Sequence, residues 1–338
     1  MMELLACPAP LSVQDLGRPG YRHLGVPLSG ALDQVALRLA NALLGNAANA
    51  AALELRLMGP QLRATQTLRV ALAHVDASIV RGDGSSQALP AWRSATLQQG
   101  DILRIGPPQG GVAYLAVAGG IAVPPMLGSR STYARAALGG LQGRALQAGD
   151  RLSVGESAPA AGELQADAAA LYAQTGALRV IPGPQTEHFT AAALEAFFSG
   201  EFRVGKEADR MGLRLNGPLL RHNERGADIV SDAVTPGAIQ VPGDGRPIVL
   251  LADCQTVGGY AKMATVIQAD LPRLGHLLSG AALRFVAVTQ DQALAALQEQ
   301  EAALAAAVAG MVPARPPGGI DLAALYTENL ITGVIHGE

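Results

Sequence analysis

Val112-Ala-Tyr-Leu-Ala-Val117, then Gly119-Gly120, a polar loop and Gly143-Arg-Ala-Leu-Gln-Ala-Gly-Asp-Arg-Leu-Ser-Val154, is the stretch on which the fold turns, because it returns later in the chain. Ile248-Val-Leu-Leu-Ala252 is again an apolar strand. Gly258-Gly259, a polar loop and Gly275-His-Leu-Leu-Ser-Gly-Ala-Ala-Leu-Arg-Phe-Val286 follow it. Self-similarity of this kind is the signature of a repeated structural unit. It predicts two related β-rich domains, the first carrying an inserted helix. Chance likeness between glycine-punctuated strands is the competing reading.

Outward from that stretch the pattern holds. Short apolar runs at Leu68–Leu72, Ile102–Ile105 and Val112–Val117 are separated by Gly and Pro, which punctuate strands. Residues 156–170 are Ala-rich and carry no strand pattern, so they mark a boundary. The expected division is 1–165 for a first barrel-type domain with its helix near 31–45, 166–290 for a second, and 291–338 for a C-terminal helix and tail. In the inserted helix, Leu32, Val35, Leu39 and Leu43 recur on one face and Gly45 sits where a C′ glycine belongs. A second helix spans about 190–199, with Thr190 as N-cap and Gly200 as C′ residue. Ala238–Val241 and Pro247–Ala252 flank Pro242-Gly-Asp-Gly245, which reads as a hairpin. Thr289 and Gln292 form a capping box for a last helix with a stripe of Leu294, Leu297 and Leu304. Residues 312–319 read as a loop.

Composition narrows the function classes. The 338 residues include 25 Lys+Arg and 28 Asp+Glu, a formal net charge of −3 without a basic run. Nucleic acid and anionic membrane are therefore poor partners, because both are bound through clustered positive charge. Only 16% of residues are charged and 4% aromatic, against 40 Gly and 21 Pro, which suits short strands joined by tight turns. The charge-free stretch 105–129 is too rich in Gly and Pro for a membrane helix. Leu4-Leu-Ala-Cys7 looks like a lipoprotein box, but Glu3 and the absence of a basic, apolar leader argue against it. Two cysteines, Cys7 and Cys254, cannot build a disulfide framework. The expectation is a soluble, cytoplasmic protein.

Several motifs fail. Gly200–Glu207 nearly matches a phosphate-binding P-loop, but Glu207 replaces the magnesium-holding Ser/Thr and a helix, not a strand, precedes it. Ala261-Lys262-Met263 is half of a biotinyl-lysine hairpin, so no covalent biotin is expected on Lys262. The six histidines have no ligand-like spacing, and no metal ligand is assigned. Two polar segments survive. One is 13–33, with Asp15, Arg18, Arg22, His23, Ser29 and Asp33 around a helix N-terminus that offers N–H groups to an anion. Arg18 either grips a carboxylate or phosphate, or pairs with Asp15 to staple the loop. The other is 206–262, where Asp253, Gln255, Thr256 and Lys262 follow an apolar strand beside Gly258-Gly259, either as a site or as a plain hairpin loop.

Together these segments resemble a known family. Val13-Gln-Asp-Leu-Gly-Arg-Pro-Gly-Tyr-Arg-His-Leu-Gly-Val-Pro27, Leu39-Ala-Asn-Ala-Leu-Leu-Gly-Asn46, Leu127-Gly-Ser-Arg-Ser-Thr132, Asp209-Arg-Met-Gly-Leu-Arg-Leu215, Gly237-Ala-Ile-Gln-Val-Pro242 and Gln255-Thr-Val-Gly-Gly-Tyr260 are similar, in order, to the KipA family. The family is also called allophanate hydrolase subunit 2, biotin-dependent carboxyltransferase or the C-type subunit of 5-oxoprolinase. Cys254 departs from it, standing where a basic residue is expected. The resemblance implies a mainly β fold with a few helices, built as tandem cyclophilin-like β-barrel domains. It implies a subunit of an ATP-dependent 5-oxoprolinase, inactive alone, that opens 5-oxo-L-proline to L-glutamate with a KipI-like and a LamB/YcsF-like partner. ATP with Mg is expected for the complex. A urea carboxylase-like carboxyltransferase module and a regulator of a KipI-like kinase inhibitor are the alternatives.

Phosphorylating a lactam oxygen needs cations around phosphate and carboxylate. Arg18, Arg210, Arg130 and Lys262 are the candidates, and Asp15 or Asp253 would orient an arginine, hold magnesium or act as base. Gln255 and Thr256 would bind the amide, with His23, Ser29, Asp33 and Tyr260 lining the substrate. The cations of the two loops are expected to converge in one cleft.

Overall fold

The strand Val112–Val117 is buried along its whole length, and its alternation serves two cores at once. Ala113, Leu115 and Val117 point into one cluster with Leu53, Leu72 and Val13. Val112, Tyr114 and Ala116 point into another with Ala36, Leu37, Ala40 and Leu43. A strand with a sheet under one face and a helix over the other has no polar side, so it reads as one apolar run. The computed structural model describes residues 1–157 and 162–315.

Among the described residues, the first half stacks two sheets on one core. One sheet holds Val112–Val117 between Ala52–Arg56 and Leu68–Ala73, in antiparallel register with Leu115 opposite both Leu53 and Leu72. Leu11–Gln14 and Arg93–Leu97 extend it outward. The other sheet runs Arg151–Leu152, Met2–Ala6, Gln61–Ala64, Ile102–Ile105, Ala77–Val80 and Ser86–Leu89. Leu4, Leu62, Ile79 and Leu103 face inward from it. Each such buried Leu or Ile contributes about 1.5–3 kcal/mol.

The second half is built on one sheet that rolls up, with a separate two-stranded ribbon beside it. Its two outermost strands, Ala282–Leu283 and Phe285–Ala287, are separated in the chain by Arg284 alone, so the sheet comes back almost onto itself. Inside lie Phe197, Phe202, Val204, Ile239 and Phe285. The hairpin Ala238–Gln240 with Ile248–Leu250 forms as expected, closed by a turn in which Gly245 N–H bonds Pro242 O at 2.9 Å. Gly205-Lys206-Glu207 lies inside the strand Phe202–Ala208, not in a phosphate loop. The molecule is thus mainly β with a few helices. Among the described residues no helix is long and apolar enough to cross a membrane.

The helices form for the reasons the sequence offers, with three corrections. The helix Gln34–Ala42 starts after Asp33 and is followed by Gly45 at φ +71°. Its sheet-facing stripe is Ala36, Leu37, Ala40 and Leu43. Val35 and Leu39 face the C-terminal helix instead, and Leu32 packs into the second half's core. The apolar positions therefore form two stripes, because the helix is covered on two sides. Thr190 caps Ala191–Ser199 as expected, but Gly200 ends it at φ −78°, extended rather than left-handed. The capping box of Thr289 and Gln292 opens Gln290–Ala309. There Ala296 and Leu304 are buried, while Leu294 is 55% exposed.

That last helix is a strap. Leu304 packs on Val35 and Leu39 of the first half, Ala296 on Ile267 and Ala269 of the second. Arg38 and Glu301 meet in a bidentate pair at 2.6 and 2.7 Å, exposed enough to contribute only about 0.2–1 kcal/mol. Beyond it Val312–Pro313 pairs with Leu164–Gln165, at the edge of the first half's sheet. Part of the expected loop 312–319 is therefore a short strand. Residues 316–338 of the expected tail, and 158–161 of the expected boundary, lie outside the described residues.

The echoed glycine pairs differ in use. Gly119 and Gly120 make a turn at φ +85° and +72°, whereas Gly258 and Gly259 lie within the strand Val257–Tyr260. A Cβ on Gly119 would stand 2.2 Å from Gly155 O. Gly119→Ala is expected to cost at least about 2 kcal/mol, read as a lower midpoint of urea unfolding. A wild-type midpoint would show that the turn can relax.

Candidate functional site

The two polar segments meet where the halves of the molecule touch. Ser29 N–H bonds Ala252 O at 2.9 Å, and Arg22 Nη2 donates to Val234 O and, at 3.4 Å, to Gln255 O. The loop 17–30 doubles back tightly enough that Gly17, at φ +90°, lies against the backbone of Leu28 and Ser29. A Cβ there would meet Leu28 O at 2.7 Å. Only glycine fits such an approach.

Arg210 is the central cation of the seam. It lies in the tight turn between Phe202–Ala208 and Gly212–Asn216 of the second half. Its Nε and Nη2 donate to Asp253 at 2.8 and 3.1 Å, Nη1 donates to Glu54 and Nη2 to Gly30 O at 2.6 Å. Glu54 belongs to the first half, so this guanidinium ties the two halves together. Burial opposes its charge, but Glu54 and Asp253 outweigh burial and hold its pKa above the ordinary arginine value. Arg210, Asp253, Glu54 and Gln14 wall a cavity of about 390 Å³.

Asp15 is the staple, though not of Arg18. Its carboxylate accepts from Gly17 N at 2.8 Å, Ser129 Oγ at 2.7 Å, Arg130 N at 2.6 Å and Ser131 Oγ, which fixes the 127–132 motif against the 13–18 motif. Arg18 is fully buried and donates through Nη2 to Ser131 O. Its Nε and Nη1 have no hydrogen-bonding partner among the described residues, nor do Gln14 Oε1, Ser29 Oγ and Arg22 Nη1. Burial lowers the Arg18 pKa against the pull of Asp15 and Asp253. Arg130 serves the local structure, with Nε on Val123 O at 2.9 Å.

The rest of the second segment faces a separate exposed ribbon, Asp228–Ala233 paired with Val257–Tyr260. Lys262 Nζ is buried beneath it, donating to Asp232 and, at 3.0 Å, to Ala233 O. Gln255 Nε2 reaches Gln240 Oε1 at 3.3 Å, and Gln240 Nε2 reaches Tyr260 O at 3.4 Å. Thr256 is buried, its carbonyl bonded by Val234 N–H. Gln255, Tyr260 and His23 are exposed. Cys254, where a basic residue was expected, is buried among Val234, Ala238 and Leu250. Burial raises its thiol pKa, and the neighbouring Arg22 opposes that rise, so the cation at this spot comes from the other loop.

The loops therefore converge as expected, but the cations do not share one cleft. Arg210 and Asp253 line the seam cavity, Ser29 opens on a larger one of about 640 Å³, and Arg18, Arg130 and Lys262 line neither. At the start of Gln34–Ala42 the Ala36 N–H is already taken, since Asp33 accepts from it at 2.9 Å. Asp33 is fully buried and also accepts from Tyr172 Oη at 2.9 Å and bonds His276 Nε2 at 2.8 Å. Burial alone would raise its pKa, but the His276 bond and the nearby His74 imidazole hold it below the usual carboxylate range.

Sequence reasoning missed Glu54, Tyr114, His74, His276 and Asp232. Glu54 lies between Leu53 and Leu55 in a strand where alternation assigns it to solvent. The helix covers that face, and Glu54 Oε2 accepts from Leu32 N at 2.9 Å and Tyr114 Oη at 2.8 Å. Nothing in the spacing of His74 and His276 joins them to Asp33, yet the structure places ligand atoms of all three within 4.8 Å of one another.

Known proteins give the frame for this arrangement. The model of the carboxyltransferase domain, subdomain A and B, matches residues 24–287. The chain is 38% identical to the C-type subunit of 5-oxoprolinase from Escherichia coli strain K12, over 89% of this chain and 96% of that one. It is 33% identical to the urea amidolyase of Lachancea kluyveri, over 87% of this chain but 17% of that one. Among solved structures it is similar to the Kluyveromyces lactis urea carboxylase, with a TM-score of 0.80 at 30% identity over 90% of this chain and 29% of that one. It is also similar to TTHA0988, with a TM-score of 0.73 at 37% identity over 84% of this chain and 56% of that one. The chain thus spans about half the length of TTHA0988 and less of the urea enzymes. With its rolled second sheet, its seam built on the 13–33 and 206–262 motifs, and a family match across most of its length, the chain belongs to the carboxyltransferase domain family, subdomains A and B.

Proposed function

We propose that the chain is the C-type subunit of an ATP-dependent 5-oxoprolinase, working in the cytoplasm with a KipI-like and a LamB/YcsF-like subunit to open 5-oxo-L-proline to L-glutamate. The observation that carries this reading is the nearly end-to-end likeness to the corresponding 5-oxoprolinase subunit of Escherichia coli, which leaves little of either chain unmatched. ATP and Mg are co-reactants of the complex, their site lying in this chain or in a partner.

The local chemistry supports it. A lactam is a poor electrophile until its oxygen is phosphorylated, and that step depends on placed positive charge and hydrogen-bond donors. Arg22 and Lys262 meet the same short segment, 232–234, from two sides, with Gln240 and Gln255 beside them as amide-recognising groups. Around this polar floor stand exposed apolar side chains, Leu24, Val230, Val257 and Tyr260, with Val230 93% exposed. Apolar surface rimming a polar site suits a subunit whose site is completed by a partner.

The urea enzymes among the relatives favour a second reading, a biotin-dependent carboxyl transfer module. Such a module would receive biotin from elsewhere, since Lys262 is buried and paired with Asp232. The deciding experiment mixes this chain with its two partners and follows 5-oxoproline-dependent release of ADP and glutamate. Turnover only with all three subunits is the expected result. ATP use that requires bicarbonate and a biotinylated protein supports the carboxyltransferase instead. A complex inert in both assays that still relieves KipI-like kinase inhibition is a regulator.

A further inference from the structure

We propose that Asp33, His74 and His276 bind a divalent transition ion of the zinc class at the junction of the two halves. The reading stands apart from the 5-oxoprolinase assignment, since none of the three residues is among Arg22, Gln240, Gln255 and Lys262, the groups invoked there.

The donor set is two imidazole nitrogens and one carboxylate oxygen. Nitrogen donors of this kind suit zinc and its transition-metal neighbours, whereas calcium and magnesium take oxygen. Around a tetrahedral ion with bonds of about 2.0–2.1 Å, ligand atoms stand roughly 3.3 Å apart. Asp33 Oδ2 lies 2.8 Å from His276 Nε2 and 3.6 Å from His74 Nε2, which brackets that spacing. An ion would take the place of the His276–Asp33 hydrogen bond.

Four further observations point the same way. His74 Nε2 is buried without a hydrogen-bonding partner among the described residues, although it faces the Asp33 carboxylate. His74 also holds φ at +58°, the left-handed region that non-glycine residues seldom enter, and such outliers gather at functional sites. The carboxylate ligand is braced, with Asp33 Oδ1 held by Ala36 N–H and Oδ2 by the Tyr172 hydroxyl, as outer-shell partners brace metal ligands. His74 and His276 open on a cavity of about 480 Å³, which leaves room for a fourth ligand, a water or a small anion.

The position has a consequence for the whole molecule. Asp33 and His74 come from the first half and His276 from the second, so the ion clamps them together. It also touches the seam network, because Asp33 N–H donates to Tyr114 Oη, and Tyr114 donates to Glu54, the partner of Arg210.

Trp92, the chain's one tryptophan, has its ring centroid 4.6 Å from that of His74 and reports on the site directly. The full chain, freed of metal with a chelator, is titrated with Co²⁺ alone while Trp92 fluorescence is followed. One equivalent is expected to quench it, Zn²⁺ to reverse the quenching, and Zn²⁺ to raise the unfolding temperature. His74→Gln and His276→Gln should each weaken Co²⁺ binding at least tenfold, while His222→Gln leaves it unchanged. Because glutamine fills much of the imidazole's space, circular dichroism is expected to match the parent. Absence of saturable quenching in the parent chain, or parent-like affinity in both site variants, overturns the assignment, and so does loss of binding in His222→Gln alone.

Discussion

Replacing Arg210 by methionine is expected to destabilise the chain by roughly 3–5 kcal/mol, measured as a shift in the urea midpoint at constant slope. The guanidinium bonds both Glu54 and Asp253, whose side chains are 1% and 10% exposed. Removing it leaves two carboxylates close together and mostly out of water, which costs more than the ion pairs themselves contribute. The sign of the cause is testable in a second step. Adding Glu54→Gln and Asp253→Asn to the methionine variant removes the stranded charges and should recover a substantial part of the loss. If the triple variant is no better than the single one, the loss lies in packing and not in uncompensated charge. Because Glu54 sits in the first half and Arg210 in the second, the single variant should also expose the seam to protease before the core strands melt.

Lys262→Met is the second large effect, and it falls on turnover. In the assembled 5-oxoprolinase the variant should lose at least tenfold in kcat, about 1.4 kcal/mol of transition-state stabilisation. Methionine keeps most of the buried stem, so the chain should fold and still enter the complex. Lys262 directs two of its three donors to Asp232 and Ala233 O, which aims the ammonium at the segment that Arg22 also grips. Asp232 is half-exposed, and its carboxyl is held below the usual range by the Lys262 hydrogen bond. Asp232→Asn should therefore be milder than Lys262→Met, since the cation stays in place. Wild-type turnover in Lys262→Met would falsify a role for this ammonium in the reaction.

The two effects separate the polar segments into different duties. Arg210 and Asp253 are chiefly the mortar of the seam, and Asp15 the mortar between the 13–18 and 127–132 motifs. Arg18 stands between, buried with two unpartnered nitrogens among the described residues and within electrostatic reach of Asp253 and Arg210. Lys262 and Gln240 lie buried under the exposed ribbon, with Arg22 half-buried and Gln255 exposed beside them.

Local rules were legible in the amino-acid order by itself. Strand runs such as Ile102–Ile105, the Thr190 and Thr289 caps and the 238–250 hairpin depend on neighbours a few residues away, so the sequence determined them. The meeting of the 13–33 and 206–262 segments follows from their polarity and is seen in the Ser29–Ala252 bond. Which polar groups face one another is set by docking of distant segments. Glu54 reads as a solvent-side residue until a helix lies over its strand, and His74 and His276 read as unrelated until the two halves close around Asp33. Alternation along a strand tells which side a residue is on. It does not tell what covers that side, because the cover arrives from residues distant in the chain, and there the pairing of buried charges is settled by docking geometry alone.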